Sequence, residues 1–497
     1  MNTNRVRKNI VTSLLQQVVS VACAFILPRL ILSAYGSAHN GIVSSVSQFI
    51  SYITLLRAGI GGVTRAALYK SLAAEDWEET GAILKATERF MRKIALIFSV
   101  LLVAFAAIYP FFVKEEFDWF FSFSMVLVLG ISTVVQYYFG ITNLFLLHAD
   151  QKLYVYNVWQ IVATILNTVL SVLLIQAGQD IRIVKLGSAI AFSITPIMLY
   201  CYAKRRYPIP RKIAPNNSAI AQRWDAFAHQ IAAFVHGNTD VVILTFFANL
   251  KQVSVYTVYH MVVSGVNMLI TTMASAVEAR LGNIIARDNK TLLNQEFATY
   301  EMVLHLICTV LFACTATLIV PFVMLYTAGV VDDNYHQPAL GICMCLAYWI
   351  SAIRLPYQKV IEAAGQFKET KKYAVIEAIL NVCVSCVLVI AWGTVGVVVG
   401  TIIAMGYRTV CYMAYVTKHI IQQPWKKLVK RVAISAASMG ITILLCDRML
   451  GEIPSFSKWV LAGFIVAAVS ACITLTINFI FYPREIIRLI RRRPDIA

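Results

Sequence analysis

The chain has 497 residues, of which 59% are hydrophobic and only 14% are charged. Soluble domains are about 45–50% apolar and about 25% charged, so this composition excludes a soluble protein, a disordered chain and a secreted disulfide scaffold. The length allows about fourteen crossings of about 20 apolar residues each, which predicts a polytopic α-helical membrane protein. The 43 Lys and Arg residues outnumber the 25 Asp and Glu residues. Because the basic residues lie mostly in short loops, we attribute the excess to membrane orientation and expect no nucleic-acid partner.

Fourteen apolar stretches of the sequence have the length of membrane spans. In chain order they cover residues 10–34, 41–62, 94–113, 119–146, 153–176, 183–203, 226–249, 252–277, 302–328, 337–358, 373–392, 394–416, 432–450 and 459–482. The predicted fold class is therefore all-α integral membrane, with about 14 transmembrane helices.

The basic residues predict how these spans are oriented. Of the 43 Lys and Arg residues, 33 lie in segments on the side of both termini, and six lie in the opposite loops or within a turn of them. Cytoplasmic loops carry the excess of Lys and Arg, so both termini are predicted to be cytoplasmic. The remaining four are Arg29, Arg57, Arg354 and Arg408, which lie deeper within spans.

Two pairs of similar segments indicate an internal duplication. Ile165–Ser171 recurs as Ile379–Ser385 at an offset of 214 residues, and Gly187–Ala191 recurs as Gly400–Ala404 at an offset of 213. Each repeat contains an even number of spans, so both repeats enter from the same side of the membrane. Three regions are predicted: an N-terminal lobe of helices 1–6 (1–205), a C-terminal lobe of helices 7–12 (206–420), and helices 13–14 with a basic tail (421–497). The third region lies outside the duplication.

Several segments carry a family resemblance. Phe25–Leu30 (FILPRL), the end of the second span at Arg57–Gly61 (RAGIG), and the seventh span at Gly237–Leu244 (GNTDVVIL) resemble the corresponding parts of Wzx-type polysaccharide flippases. The paired Leu-Asn motifs of spans five and eleven fit the same pattern. These flippases belong to the multidrug/oligosaccharidyl-lipid/polysaccharide exporter superfamily, which also contains lipid II flippases and multidrug antiporters.

The resemblance implies two six-helix lobes around a central cavity. It implies a non-enzymatic transporter of the bacterial inner membrane that flips undecaprenyl-diphosphate-linked oligosaccharide by alternating access, for surface polysaccharide such as lipopolysaccharide. The expected partners are this lipid-linked oligosaccharide, membrane lipids, and the polymerase and glycosyltransferases of polysaccharide assembly. No cofactor is expected, and coupling to Na⁺ or H⁺ is left open. Two alternatives remain: an integral-membrane glycosyltransferase or polymerase, and a multidrug antiporter of the same fold.

The predicted substrate-binding residues are basic side chains within spans. An Arg at the centre of the bilayer costs about 2.5–3.5 kcal/mol on insertion scales, and a guanidinium group matches phosphate oxygens through paired N–H donors. The resemblance assigns Arg29 and Arg57 to the lipid diphosphate, and His260 stands at a third position that is basic in the family. The competing interpretation is that these arginines extend to an interface or bond helix carbonyls. Arg354 and Arg408 lie nearer the cytoplasmic ends of their spans and are interpreted as extending to that interface.

A cation-coupling site is predicted from oxygen-bearing residues within spans. Asp240 is a carboxylate in the seventh span, and Glu377 and Asn381 share one face of the eleventh at a spacing of four residues. The resemblance adds Thr401 on the twelfth span, and together these oxygens are candidates to hold a cation or share a proton. The alternative is a set of separate structural hydrogen bonds and ion pairs. His229 and His236 lack a third ligand at a suitable spacing, so no metal site is expected.

Overall fold

The computed structural model describes residues 3–57, 60–210, 213–220, 239–286, 290–421, 424–483 and 485–487. Three parts of the sequence discussed above lie outside these ranges: Ala58 and Gly59 after Arg57; the segment 221–238, with its two histidines and the first two residues of the seventh-span motif; and the basic run Arg491–Arg493. The chain divides into two compact units, Met1–Ser254 and Val255–Ala497, whereas the predicted division between lobes lies at residues 205 and 206.

The described residues of the first unit form nine helices and the first residues of a tenth. They are α1 (Thr3–Tyr35), α2 (Ser37–Thr54), α3 (Ile60–Ala73), α4 (Trp77–Ile108), α5 (Trp119–Val135), α6 (Ile141–Ala149), α7 (Leu153–Gln176), α8 (Ile181–Arg206), α9 (Thr239–Phe247) and the start of α10 (Leu250–Ala286). A one-turn 3₁₀ segment, Leu55–Arg57, follows α2, and a π-helical turn, Gln136–Gly140, joins α5 to α6.

Aspartates start several of these helices. Asp76 accepts a hydrogen bond from the backbone N–H of Glu79 at 2.9 Å, and Asp118 and Asp180 cap α5 and α8 in the same way. A carboxylate at this position satisfies an N–H group that has no partner within the helix and interacts favourably with the helix dipole. The hydrogen bond from the side chain of Arg182 lowers the pKa of Asp180 below its usual value, so this cap is ionised at neutral pH.

Polar contacts join the first helix of the unit to the seventh. Arg5 pairs with Asp150 at 3.1 Å, and the side-chain amide of Asn157 donates to the hydroxyl groups of Thr12 and Ser13 at 3.0 and 2.8 Å. Asp150 also pairs with Lys152 at 2.6 Å and accepts from the hydroxyl of Tyr207. This cluster fixes the ends of α1, α7 and α8, which the distribution of basic residues predicts to be cytoplasmic.

The second unit contains the rest of α10 and five further helices. They are α11 (Lys290–Tyr326), α12 (Pro338–Ala363), α13 (Phe367–His419), α14 (Trp425–Met449) and α15 (Phe456–Phe481). The 53 residues of α13 contain both the eleventh and the twelfth predicted spans. They are separated at Gly393, whose φ of 55° is open to glycine but disfavoured for other residues, so the chain reverses there without an intervening loop.

Every regular element in the described residues is helical, and eleven of the described helices are long and apolar enough to cross a membrane. The predicted class, an all-α integral membrane protein, is confirmed. Three differences separate these eleven helices from the fourteen predicted spans. One of them, α13, holds two spans; the second span is interrupted after Thr54; and the seventh lies partly on the undescribed segment 221–238.

Candidate functional site

Arg57 lies where the second predicted span is interrupted. The α-helix ends at Thr54, a 3₁₀ turn carries Arg57, and helix resumes at Ile60. The side chain is half-buried, with its guanidinium carbon 5.9 Å from the centre of the Tyr137 ring. Its charge also acts on the hydroxyl group of Tyr156. Its close neighbours are therefore aromatic rings, which attract a cation but leave its positive charge in place.

No carboxylate forms an ion pair with Arg57 among the residues described by the structure. Arg29, the other predicted diphosphate ligand, is half-buried on α1 and follows Pro28 within that helix. Both residues therefore belong to the first unit. Arg57, which is half-buried and has no carboxylate partner among the described residues, is suited to binding an anion from outside the chain.

A cavity of about 190 Å³ lies beside the π-helical turn, between the α5–α6 segment, α7 and α8. Its polar lining consists of hydroxyl and amide side chains, namely Ser132, Thr133, Gln136, Tyr156, Gln160 and Thr195, and no charged residue lines it. Gln136 of this lining directly precedes Tyr137, whose ring centre lies 5.9 Å from the guanidinium carbon of Arg57. The π-helical turn therefore contributes one residue to the cavity and the next to the surroundings of Arg57.

His260 belongs to the second unit and already has partners. Its Nε2 atom is 2.7 Å from the hydroxyl of Tyr348, and its ring stacks on Tyr256 with an interplanar angle of 14°. These contacts orient the imidazole between two aromatic residues. The prediction that His260 contacts the substrate is not tested by this geometry, and it stays a prediction.

Glu377 lies between two arginines. Its two carboxylate oxygens accept from Nη1 of Arg354 at 2.8 Å and from Nη1 of Arg408 at 2.6 Å, and the side chain of Glu377 is fully buried. The interpretation that Arg354 and Arg408 extend to the membrane interface is therefore wrong. Pairing with a buried carboxylate satisfies the guanidinium groups inside the unit, and Ser351 and Tyr412 accept further hydrogen bonds from them. Sequence spacing did not reveal this cluster because its members come from α12 and from both halves of α13.

The remaining predicted cation ligands of the second unit bond each other. The amide of Asn381 donates to the hydroxyl of Thr401 at 3.0 Å across the two halves of α13, and the Oδ1 atom of Asn381 has no hydrogen-bond partner in the described structure. The equivalent residue of the first repeat, Asn167, is also buried and also has an unpartnered Oδ1. Both repeats thus place an asparagine in the same buried environment.

Asp240 lies in the first unit, in the described part of α9. It is half-buried and follows Thr239, whose hydroxyl is 3.3 Å from the hydroxyl of Tyr52 on α2. The charge of Asp240 acts on this same Tyr52 hydroxyl. The cation site that was predicted to combine Asp240 with Glu377, Asn381 and Thr401 thus has one member in the first unit and three in the second. It stays a prediction, and in this conformation two arginines already neutralise Glu377.

A second charge cluster was missed in the sequence. Arg431 on α14 is almost fully buried and pairs with Glu301 on α11 and with Glu485 after α15, while Tyr357 donates a hydrogen bond to Glu301. Lys427 adds a pair to Glu485 at 3.0 Å. The sequence contains a signal for this cluster, because all of these charges lie at span ends on the predicted cytoplasmic side. The sequence analysis uses Arg431 only as evidence for membrane orientation and does not predict its ion pairs.

No protein-family profile matches the chain, and no curated protein matches it. Solved structures do. The chain superimposes on the lipid II flippase MurJ in an inward closed conformation with a TM-score of 0.73 and 15% identity, covering 97% of this chain and 99% of that one. It superimposes on an inward-facing multidrug resistance MATE family transporter of the MOP superfamily with a TM-score of 0.63 and 14% identity, covering 80% and 93%. It also superimposes on a MOP superfamily transporter from Pyrococcus furiosus, whose binding pocket has reverse polarity. The TM-score is 0.55 and the identity 13%, and the match covers 84% of this chain and 96% of that one.

These similarities define the class of fold. The chain is a multi-pass helical membrane protein with the architecture shared by MurJ and the MATE transporters of the MOP superfamily. The predicted fold is confirmed, and the resemblance to Wzx-type flippases in particular stays a prediction. At 13–15% identity, the substrates of these proteins do not transfer to this chain by similarity alone.

Proposed function

We propose that this protein is a transporter that flips a lipid-diphosphate-linked oligosaccharide across the bacterial inner membrane by alternating access. The observation that carries the proposal is Arg57, a half-buried arginine in the interrupted second span that has aromatic neighbours and no carboxylate partner among the described residues. The fold supports the class of transporter, and the unpaired charge supports an anionic substrate. Undecaprenyl diphosphate is the carrier that the sequence resemblance implies.

The chemistry of a diphosphate fits this arginine. Planar guanidinium groups bind phosphate oxygens through two parallel N–H donors, and such charge-assisted bonds are stronger than neutral ones. The other buried arginines of the described spans differ in this respect, because Arg354, Arg408 and Arg431 are all paired with glutamates. The proposed role of Arg57, with Arg29 on the neighbouring helix in the sequence, is to capture the diphosphate while the lipid tail stays in the bilayer.

The two alternative functions account less well for this charge. A multidrug antiporter for cationic compounds needs carboxylates or aromatic rings at its binding site, and an unpaired arginine there repels a cation. A membrane glycosyltransferase or polymerase needs a general acid or base beside the reacting sugar. Flipping requires no bond to be made or broken in the substrate, so the proposed mechanism assigns no catalytic residue.

A flipping assay in proteoliposomes tests the proposal directly. The substrate is a fluorescent polyprenyl-diphosphate oligosaccharide in the inner leaflet, and the readout is its appearance in the outer leaflet. We expect Arg57→Ala to abolish flipping, and Arg57→Lys to restore it only in part because lysine keeps the charge but not the paired donors. The matched control is Arg92→Ala, since Arg92 is exposed and pairs only with Glu88 one helical turn away.

Two results would contradict the proposal. One is wild-type flipping by the Arg57→Ala protein. The other is transport of a cationic dye, and not of the lipid-linked oligosaccharide, by the wild-type protein in the same vesicles. The second result would instead support the multidrug antiporter.

A further inference from the structure

The cavity beside the π-helical turn is lined by polar side chains that have no hydrogen-bond partner among the described residues. The side chains of Ser132, Thr133, Gln136, Tyr156 and Gln160 line it, and none of them makes a hydrogen bond within the part of the chain that the structure describes. These residues lie on helices that cross the membrane. Polar groups at that depth are costly unless they meet a partner, so the cavity is built to hold something with hydrogen-bonding groups.

The lining restricts what that occupant is. It offers hydroxyl and amide groups, which both donate and accept hydrogen bonds, together with the aromatic rings of Tyr156 and Phe192. The described lining residues include no charged side chain, so the cavity does not complement an ion or a phosphate group. A volume of about 190 Å³ suits a single sugar ring and lies below the range of about 300–1,000 Å³ that is typical of pockets for drug-sized ligands.

The local backbone brings this cavity next to Arg57. The π-helical turn Gln136–Gly140 adds a residue to one turn, so that Gln136 lines the cavity while its neighbour Tyr137 is buried beside Arg57. Tyr137 also donates a hydrogen bond to the carbonyl of Thr54 at 3.4 Å, in the turn that ends just before Arg57. Such single π-turns occur frequently at functional sites.

We propose that this cavity is a sugar subsite, which receives the first sugar of the lipid-linked oligosaccharide while Arg57 holds the diphosphate. The inference rests on the proposed function, because it places a second part of the same substrate. Sugar hydroxyls supply the hydrogen bonds that Gln136, Gln160 and Thr133 lack, and the rings of Tyr156 and Phe192 contact the apolar face of the sugar. In the substrate, the sugar is bonded directly to the diphosphate, and in the protein Gln136 of the cavity lining is followed by Tyr137, whose ring lies 5.9 Å from the guanidinium carbon of Arg57.

Binding of two lipids to the purified protein tests the subsite. One probe is a polyprenyl diphosphate without sugar, and the other is the same lipid carrying a single sugar. The variants are Gln136→Leu, Gln160→Leu and the nearly isosteric Thr133→Val. The matched control is Asn143→Leu, which removes an exposed amide from α6 outside the cavity lining.

We expect each cavity variant to weaken binding of the glycosylated lipid by about three- to tenfold, the effect of one lost hydrogen bond. Binding of the sugar-free lipid should change by less than about twofold, and Asn143→Leu should change neither. Arg57→Ala should weaken binding of both lipids. If the cavity variants leave the affinity for the glycosylated lipid unchanged, the cavity holds only water and the subsite is wrong; an equal loss for both lipids also overturns it. If Arg57→Ala leaves binding of the sugar-free lipid unchanged, the proposed function itself fails.

Discussion

The buried charged side chains described above each contact a group of opposite charge. Glu377 is held by Arg354 and Arg408, and Arg431 is held by Glu301 and Glu485. Taking a charged side chain out of water costs several kcal/mol, and only a partner of opposite charge with good geometry offsets that cost. Arg57 stands apart because the described residues provide it with no such partner. That contrast at the residue scale separates structural arginines from the candidate substrate ligand.

Removing the carboxylate of Glu377 should destabilise the second unit. Glu377→Gln leaves two buried guanidinium groups without a countercharge, and breaking a buried pair in this way typically costs about 3–5 kcal/mol. The measurement is the free energy of unfolding, or the thermal midpoint, of the purified protein in detergent. The control is Glu88→Gln, which breaks an exposed pair with Arg92 and should cost about 0.5 kcal/mol or less. Equal stability of Glu377→Gln and the wild type would show that this cluster is not structural.

Asp240 provides a test of energy coupling. A half-buried carboxylate in a membrane span is favoured when a cation or proton neutralises it, and a coupling ion acts only through its different affinity for two conformations. Asp240→Asn should therefore reduce the dependence of transport on a Na⁺ or pH gradient while binding of the lipid-linked oligosaccharide stays largely intact. The control is Asp76→Asn, because asparagine also caps a helix well. If neither gradient alters the wild-type rate, the cation-coupling site is wrong and Asp240 is a structural partner of α2.

At the scale of the elements, the two halves of α13 pack very closely. A methyl group on Gly400 would lie 2.2 Å from the Oγ atom of Ser385, and that hydroxyl donates to the carbonyl of Val397 at 3.0 Å. Glycine therefore allows one half of the hairpin to approach the other. At the corresponding position of the first repeat, Gly187 also faces the preceding helix, but a methyl group there would meet the side-chain ends of Leu170 and Leu174 at 3.0 Å.

Gly400→Ala should destabilise this hairpin by about 1–3 kcal/mol, because the added methyl group forces the packed halves apart. Gly406 lies in the same helix, and a methyl group there would meet open space. Gly406→Ala should be neutral or stabilise the protein by up to about 1 kcal/mol, since alanine is the better helix former. Both effects are read from the unfolding midpoint in detergent. A loss of stability from Gly406→Ala as large as that from Gly400→Ala would rule out close approach as the cause.

At the scale of the whole molecule, the orientation in the membrane can be measured. The predicted topology places residues 204–225 on the cytoplasmic side, because that segment is rich in Lys and Arg. The test is a cysteine at Pro215 in a variant whose eleven native cysteines have been replaced. An impermeant thiol reagent should label this cysteine only after the membrane has been opened. A cysteine at Asp333, in the predicted outer loop between spans nine and ten, is the control and should be labelled in intact cells; the reverse pattern would invert the topology.

The sequence by itself determined the class of fold, since apolar stretches of about 20 residues and the asymmetry of basic residues follow from the physics of the bilayer. It also identified four arginines within spans, Arg29, Arg57, Arg354 and Arg408, because an arginine at that depth carries a large cost. Only the tertiary structure decided which charges are satisfied. Arg354 and Arg408 resemble Arg57 in the sequence, yet both pair with Glu377. Glu377 is 23 positions from Arg354 and 31 positions from Arg408 along the chain. The cavity likewise could not be predicted from the sequence. Its lining comes from the α5–α6 segment, α7 and α8, and only their packing brings these side chains together.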